Sequence, residues 1–305
     1  MTLVFAGHRP TRNFANGLFV IGDSAITSDG QTLLSGFRKV YPLSIKLWKP
    51  TFTGGQYRGY SGVHSEWQGF VAFAGSTLSS QHYLNSVVEH LSNLRISCER
   101  TGPFKLKVDW LCSQNNPVLD GNSYWDDNLF DSRKYKGLVS EELIVETIQH
   151  SLEAAAKSAR KYKLDEEAFN TLLNEFAFGF QDPANHDKFC LYHFKINPIT
   201  VEFVRQVEVV KKKVQEDELI VLGMEQEFGA EARAAYAKGL SSEVGVEQAL
   251  WDFSIDAIKK VKGSGRSGID EPVYHWHFEA YAPYLRLRNR SRSSLVEEVD
   301  ESQVP

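Results

Sequence analysis

A chain of 305 residues is long enough for one large domain or two small ones with a real buried core. Its 42% hydrophobic and 24% charged residues are ordinary for a globular protein, and the net charge of −5 argues against a nucleic-acid partner. No apolar run is long enough to span a bilayer, and the start MTLVFAGHRP lacks the basic-then-apolar order of a secretory leader. Cys98, Cys112 and Cys190 form no C-x-x-C pair and read as small, semi-buried reduced thiols, so the expectation is a cytoplasmic chain with no membrane and no nucleic-acid partner.

The apolar runs Leu3–Ala6 and Leu18–Gly22, separated by the polar and Gly-containing residues 8–17, read as a hairpin. A Gly-rich, aromatic stretch over Thr53–Gln68 reads as a long loop or hairpin insertion, and Phe70–Ala74 as a buried strand. After Gly75 the spacing of Leu84, Val87, Val88, Leu91 and Leu94 predicts a helix, and residues 100–138 read as an irregular insertion. Ser140 can cap a second helix with Glu141 and Glu142 in its first turn and a stripe of Ile144, Ile148, Leu152, Ala155 and Ala159. Strands are expected at Phe176–Phe180, Cys190–Phe194, Val201–Val204 and Leu219–Gly223. One or two helices follow over Ala230–Val261, then a last strand at Pro272–Phe278. Residues 286–305, with few apolar side chains and acidic runs, are expected to be a disordered tail. This order does not alternate strand and helix regularly, which points to antiparallel sheets with helices packed outside.

Four local features invite chemistry. Thr2 would become the amino-terminal residue if Met1 were removed, and a free α-amine, with a pKa of about 7.7–8.0, is a base placed beside the hydroxyl. Asp23-Ser24-Ala25-Ile26-Thr27 ends the second strand, Lys39 follows Asp23 by sixteen positions, and Ala74-Gly75-Ser76 leads into a helix. This ordered set resembles the proteasome β-subunit family, including the bacterial HslV peptidase and bacterial proteasome homologues, over about residues 2–95 and 176–280. Leu222-Gly223 and Ser267-Gly268 match that pattern more loosely.

The resemblance implies an α+β fold, a four-layer αββα sandwich of two antiparallel sheets flanked by helices. It implies one amino-terminal-nucleophile domain over 1–285, with insertions at about 49–68 and 100–138. It also implies a threonine-type peptidase, with catalytic residues Thr2, Asp23, Lys39 and Gly75. Thr2 Oγ attacks, its amine moves the proton, Lys39 paired to Asp23 tunes the hydroxyl, and the Gly75 N–H meets the oxyanion. The implied partners are identical subunits in a closed ring of roughly six or seven, a peptide or unfolded-protein substrate, and an ATP-dependent unfoldase. Phe52, Tyr57, Tyr60, Trp67, Trp110, Tyr124 and Trp125, in the two insertions, are expected to supply ring contacts.

The chain departs from that pattern at Met224, where the family has serine, at Ser264, where it has an acid, and at Ala25, where it often has arginine. These departures keep two alternatives open: a non-catalytic ring-forming scaffold, and a hydrolase of small amides. Other motifs are set aside. Gly263–Gly268 matches G-x-G-x-x-G but follows a helix and precedes a strand, the reverse of a dinucleotide site. His275 and His277 share one strand face but lack a visible third ligand and read as surface histidines. Arg286, Arg288, Arg290 and Arg292 read as a solvated tail. No cofactor and no metal are expected.

Overall fold

The computed structural model describes residues 2–9, 17–28, 31–99, 101–113, 115–120, 123–159, 164–202, 204–279 and 282–291. In chain order the elements are β1 (Leu3–His8), β2 (Gly17–Gly22), β3 (Ile26–Ser28), β4 (Gln31–Leu34), β5 (Val40–Thr53) and β6 (Gln56–Ala74). Then come α1 (Thr77–Leu91), β7 (Leu94–Cys98), β8 (Leu106–Asp109), α2 (Glu141–Ala159), α3 (Glu166–Asn170), β9 (Glu175–Gln181), β10 (Phe189–Val201) and β11 (Val204–Lys213). The chain continues with β12 (Leu219–Gly223), α4 (Glu225–Ser241), α5 (Val246–Gly263), β13 (Tyr274–Glu279) and β14 (Ala282–Arg290).

The described residues form a mixed α and β chain with three sheets rather than the two expected. One has the order β12-β1-β2-β13-β14, a larger one β11-β10-β9-β6-β5-β7-β8, and β3 pairs with β4 alone. The large sheet is not wholly antiparallel. β6 reverses the direction of β5, α1 carries the chain back, and β7 then runs parallel to β5.

Side-chain alternation sets the core. Phe176, Phe178 and Phe180 of β9 join Tyr83, Val87 and Leu91 of α1 and Ile144, Ile148 and Leu152 of α2 in one cluster. Leu3, Phe5, Phe19 and Ile21 join Phe228 of α4 and Leu250 and Ile258 of α5 in a second. The other faces of the same strands, Val4, Ala6, Leu18 and Val20, meet Phe70, Ala72, Ala177 and Leu191 of the large sheet in a third. β1 and β2 are thus buried on both faces, which is why they read as unbroken apolar runs.

Several expectations need correction. Leu94 is not the end of the first helix. The chain leaves α1 at Ser92 and Asn93 and starts β7 at Leu94, and a single leucine at helical spacing cannot tell the two apart. Val201 ends β10 and Val204 begins β11, paired with each other, so they are the closing pair of a hairpin rather than a strand of their own. Thr53–Gln68 is the turn and returning arm of the long β5–β6 hairpin. Residues 286–290 lie in β14, paired with β13, and Ser291 N donates to Val273 O at 3.0 Å, while residues 292–305 of the expected tail lie outside the described residues.

The insertion aromatics pack inward. Phe52 and Trp125 flank Phe130, with ring centroids 4.8 and 5.7 Å away. The Tyr60 hydroxyl donates to Ile96 O at 2.8 Å, and Trp110 Nε1 donates to Thr147 Oγ1 at 2.9 Å. Tyr57 and Trp67 lie against the same core, and of the seven only Tyr124 is exposed, at 78%. Six of the seven are therefore at least partly packed within the domain, and only Tyr124 of this group stands out from it.

Candidate functional site

Thr2 lies just ahead of β1 and is buried. Its carbonyl accepts from Met224 N at 3.0 Å, and β1 pairs with β12 so that Leu3 stands opposite Gly223. Gly223 has φ +85°, and a Cβ there would stand 2.0 Å from Thr2 O. Only glycine lets the two strands approach so closely. The Gly223 N–H donates to Glu175 Oε2 at 3.1 Å, and Glu175 is in turn paired with Lys195.

Asp23 sits directly after β2. Its Oδ1 accepts from Leu3 N at 2.8 Å and from Lys39 Nζ at 2.9 Å, and its Oδ2 accepts from Ala25 N at 3.0 Å and Lys39 Nζ at 2.8 Å. One carboxylate thus ties the peptide link after Thr2 to the lysine ammonium. Both side chains are buried, 4% exposed for Lys39 and 2% for Asp23. Burial holds the Lys39 pKa below its ordinary value, against the opposing charge and hydrogen bonds of Asp23. Lys39 reaches this position because it immediately precedes β5, with its carbonyl bonded to Phe73 N of β6.

Gly75 follows β6 with φ +129°, and a Cβ there would lie 2.2 Å from Asn174 Oδ1. Asn174 is buried and braces the first turn of α1, accepting from Ser80 Oγ and donating to Ser79 Oγ, both at 2.8 Å. The structure therefore brings Thr2, Gly75 and Gly223 to the wall of one cavity of about 380 Å³, with Met224, Gln226 and Glu227. Two larger hollows, of about 720 and 460 Å³, lie elsewhere and contain none of the four expected site residues. Both α1 and α4 begin beside the cavity, so two helix amino ends lend it positive potential.

Asn174, Glu175, Gln226 and Glu227 escape sequence reading, since each looks like an ordinary polar residue at an element's end. Glu227 is gripped by both guanidinium nitrogens of Arg266, whose Nε donates to Ser264 Oγ at 3.0 Å. The Arg266 hydrogen bonds hold the Glu227 carboxyl below its usual range. Ser264, at the position of the expected acid, thus reaches the cavity wall through Arg266. Met224 is buried and presents no polar group where a serine is expected.

His275 and His277 are buried rather than on the surface, and Glu247 of α5 is their third neighbour. Their Nε2 atoms are 3.0 Å apart and both approach Glu247 Oε2. Arg9 Nε donates to the other Glu247 oxygen, Oε1, at 2.7 Å. Burial opposes ionisation of Glu247, but hydrogen bonds from His275 and His277 outweigh it and hold the carboxyl well below its usual range.

No protein-family model matches the chain, and no curated protein matches it. Solved structures do. Anbu (ancestral beta-subunit) from Yersinia bercovieri is 11% identical with a TM-score of 0.47, over 94% of this chain and 86% of that one. A Gly-1 mutant of Anbu from Hyphomicrobium sp. strain MC1 is 13% identical with a TM-score of 0.48, over 98% and 89%. The helical assembly of the Anbu complex from Pseudomonas aeruginosa is 14% identical with a TM-score of 0.43, over 96% and 88%. These neighbours correct the family expected from the sequence. By name they are Anbu, ancestral beta-subunits, and not HslV or proteasome β-subunit peptidases. Among the described residues no helix is long and apolar enough to cross a membrane.

Proposed function

We propose that the chain is an amide hydrolase of the amino-terminal-nucleophile type, with Thr2 as nucleophile after removal of Met1. The observation that carries this reading is the position of Thr2: pinned by Met224 N and Gly223, linked through Leu3 and Asp23 to the buried Lys39, and lining a cavity shared with Gly75. In this reading Thr2 Oγ attacks the amide carbonyl and passes its proton to the Thr2 amine, which then protonates the leaving nitrogen. Lys39 supplies a positive field that lowers the cost of the alkoxide, and Asp23 positions Lys39. The oxyanion falls to the Gly75 N–H at the amino end of α1. The second and third clusters support reading the helices and two large sheets as αββα layers, with the site where β1 and β12 meet.

The test is direct. Intact mass should show loss of one methionine, an electrophile selective for terminal threonine should label Thr2, and Thr2→Ala should abolish peptide-amide hydrolysis without changing the fold. A native protein that keeps Met1 throughout, or a Thr2→Ala variant with undiminished turnover, would sink the reading. A second reading, a non-catalytic subunit assembling with copies of itself, is favoured by the buried, apolar Met224. It is selected if no substrate or trap reacts while light scattering shows an oligomer.

A further inference from the structure

We propose that His90, Cys112 and His150 form a divalent-cation site of the zinc class, closed on three sides by protein and open to solvent on the fourth. The residues come from three separate parts of the chain: the last turn of α1, the turn after β8, and the middle of α2. Cys112 Sγ lies 3.3 Å from His90 Nε2 and 3.4 Å from His150 Nε2, with the three ligand atoms within 4.8 Å of one another. In a tetrahedral zinc site, Zn–S of about 2.3 Å and Zn–N of about 2.0–2.1 Å place sulfur and nitrogen about 3.5 Å apart. The observed separations need to open by only about 0.1–0.2 Å.

Both rings are prepared for ligation. His90 Nδ1 donates to Ser86 O at 2.8 Å, so in the neutral ring Nε2 carries the lone pair, and it points at the sulfur. The ring of His150 is stacked on Trp110 with centroids 4.2 Å apart, and Trp110 is anchored to Thr147, three residues before His150 on α2. The carboxyl end of α1 adds negative potential. In contrast to the Glu247 cluster, the hydrogen bonds of these three side chains among the described residues involve no lysine or arginine. Cys112 is exposed, which leaves the fourth position to water. The ion would clasp the 100–138 segment to both helices, with the thiol proton released on binding.

Cobalt(II) is the probe that separates this site from the rest of the chain. Chelator-stripped full-length protein should take up one equivalent with a thiolate-to-cobalt charge-transfer band. Cys112→Ser should lose that band, and it should bind zinc at least about 10-fold more weakly. Cys112 is exposed, so the substitution leaves the core packing intact. His150→Gln should lose affinity in the same way, and His277→Gln should leave the band unchanged. Absence of the band in the wild-type protein, its persistence in Cys112→Ser, or its loss with His277→Gln instead would overturn the assignment. The outcome does not depend on Thr2 chemistry.

Discussion

The two large sheets divide the molecule's tasks unequally. The five-stranded sheet begins with β1 and β2, six residues each and buried on both faces, and its β1–β12 junction carries Thr2. The seven-stranded sheet contains β5 and β6, of 14 and 19 residues, which run beyond the core shared with the other sheet. Their inner ends deliver Lys39 and Gly75, while their outer ends support the 100–138 segment. Short strands covered on both faces have little freedom to move, which suits residues whose separation must be held. The long hairpin can carry additions without disturbing that end.

This contrast can be broken by substitution. Asp23→Ala should have the largest effect. It leaves the Lys39 ammonium buried without its partner, at a cost of about 3–5 kcal/mol, and it should lower turnover together with chemical stability. Denaturant melts with parallel rate measurements would show the joint loss. Phe178→Ala, in the helix-facing layer of the large sheet, should also cost about 3–5 kcal/mol by opening a cavity but should leave turnover per folded molecule unchanged. A loss of specific activity matching that of Asp23→Ala would erase the proposed division. Gly75→Ala should destabilise by about 1–3 kcal/mol through its backbone conformation alone, with the Asn174 clash added, and should displace the N–H aimed at the cavity.

The smallest effect is pH dependence. Burial, the largest influence on each, holds His8, His193 and His275 below the ordinary 6.5. Below about 6.5 the unfolded chain therefore binds more protons than the folded one, and stability should fall as the pH falls through that range. Glu247, with its depressed pKa, adds stability that is present above its ordinary 4.5 and lost as the pH drops below it. Thermal midpoints from pH 7 to 4 should decline, and His275→Gln should flatten the decline. An unchanged slope in that variant would remove His275 from the account.

Much of the site is legible in the sequence because its parts sit at element ends. Thr2 precedes β1, Asp23 follows β2 and Gly75 follows β6, so reading those strands places these residues, while Lys39, ahead of the unread β5, is found by its spacing from Asp23. Asn174 and Glu175 are not legible, because their importance depends on β9 lying beside β6, a long-range pairing. The His90–Cys112–His150 cluster is invisible for the same reason: its members are 22 and 38 positions apart and meet only when α1 and α2 pack. β7 is missed because Leu94 continues the helical spacing of α1, and β11 because a strand at the sheet's margin shows weak alternation. The burial pattern of β11 is mostly exposed.

One feature of the long hairpin bears on the history of the chain. Trp125 N donates to Gly55 O at 2.8 Å, the Tyr124 ring covers Gly55, and Phe52 rests on Phe130. The tip of the β5–β6 hairpin and the 100–138 segment complete one another's packing, though they lie far apart in sequence. Trimming either alone would strand the aromatics of the other in water. In lineage terms they form one heritable unit: a homologue with a shortened hairpin is expected to lack the distant segment as well, and an alignment in which the two lengths vary independently would show that they were acquired separately.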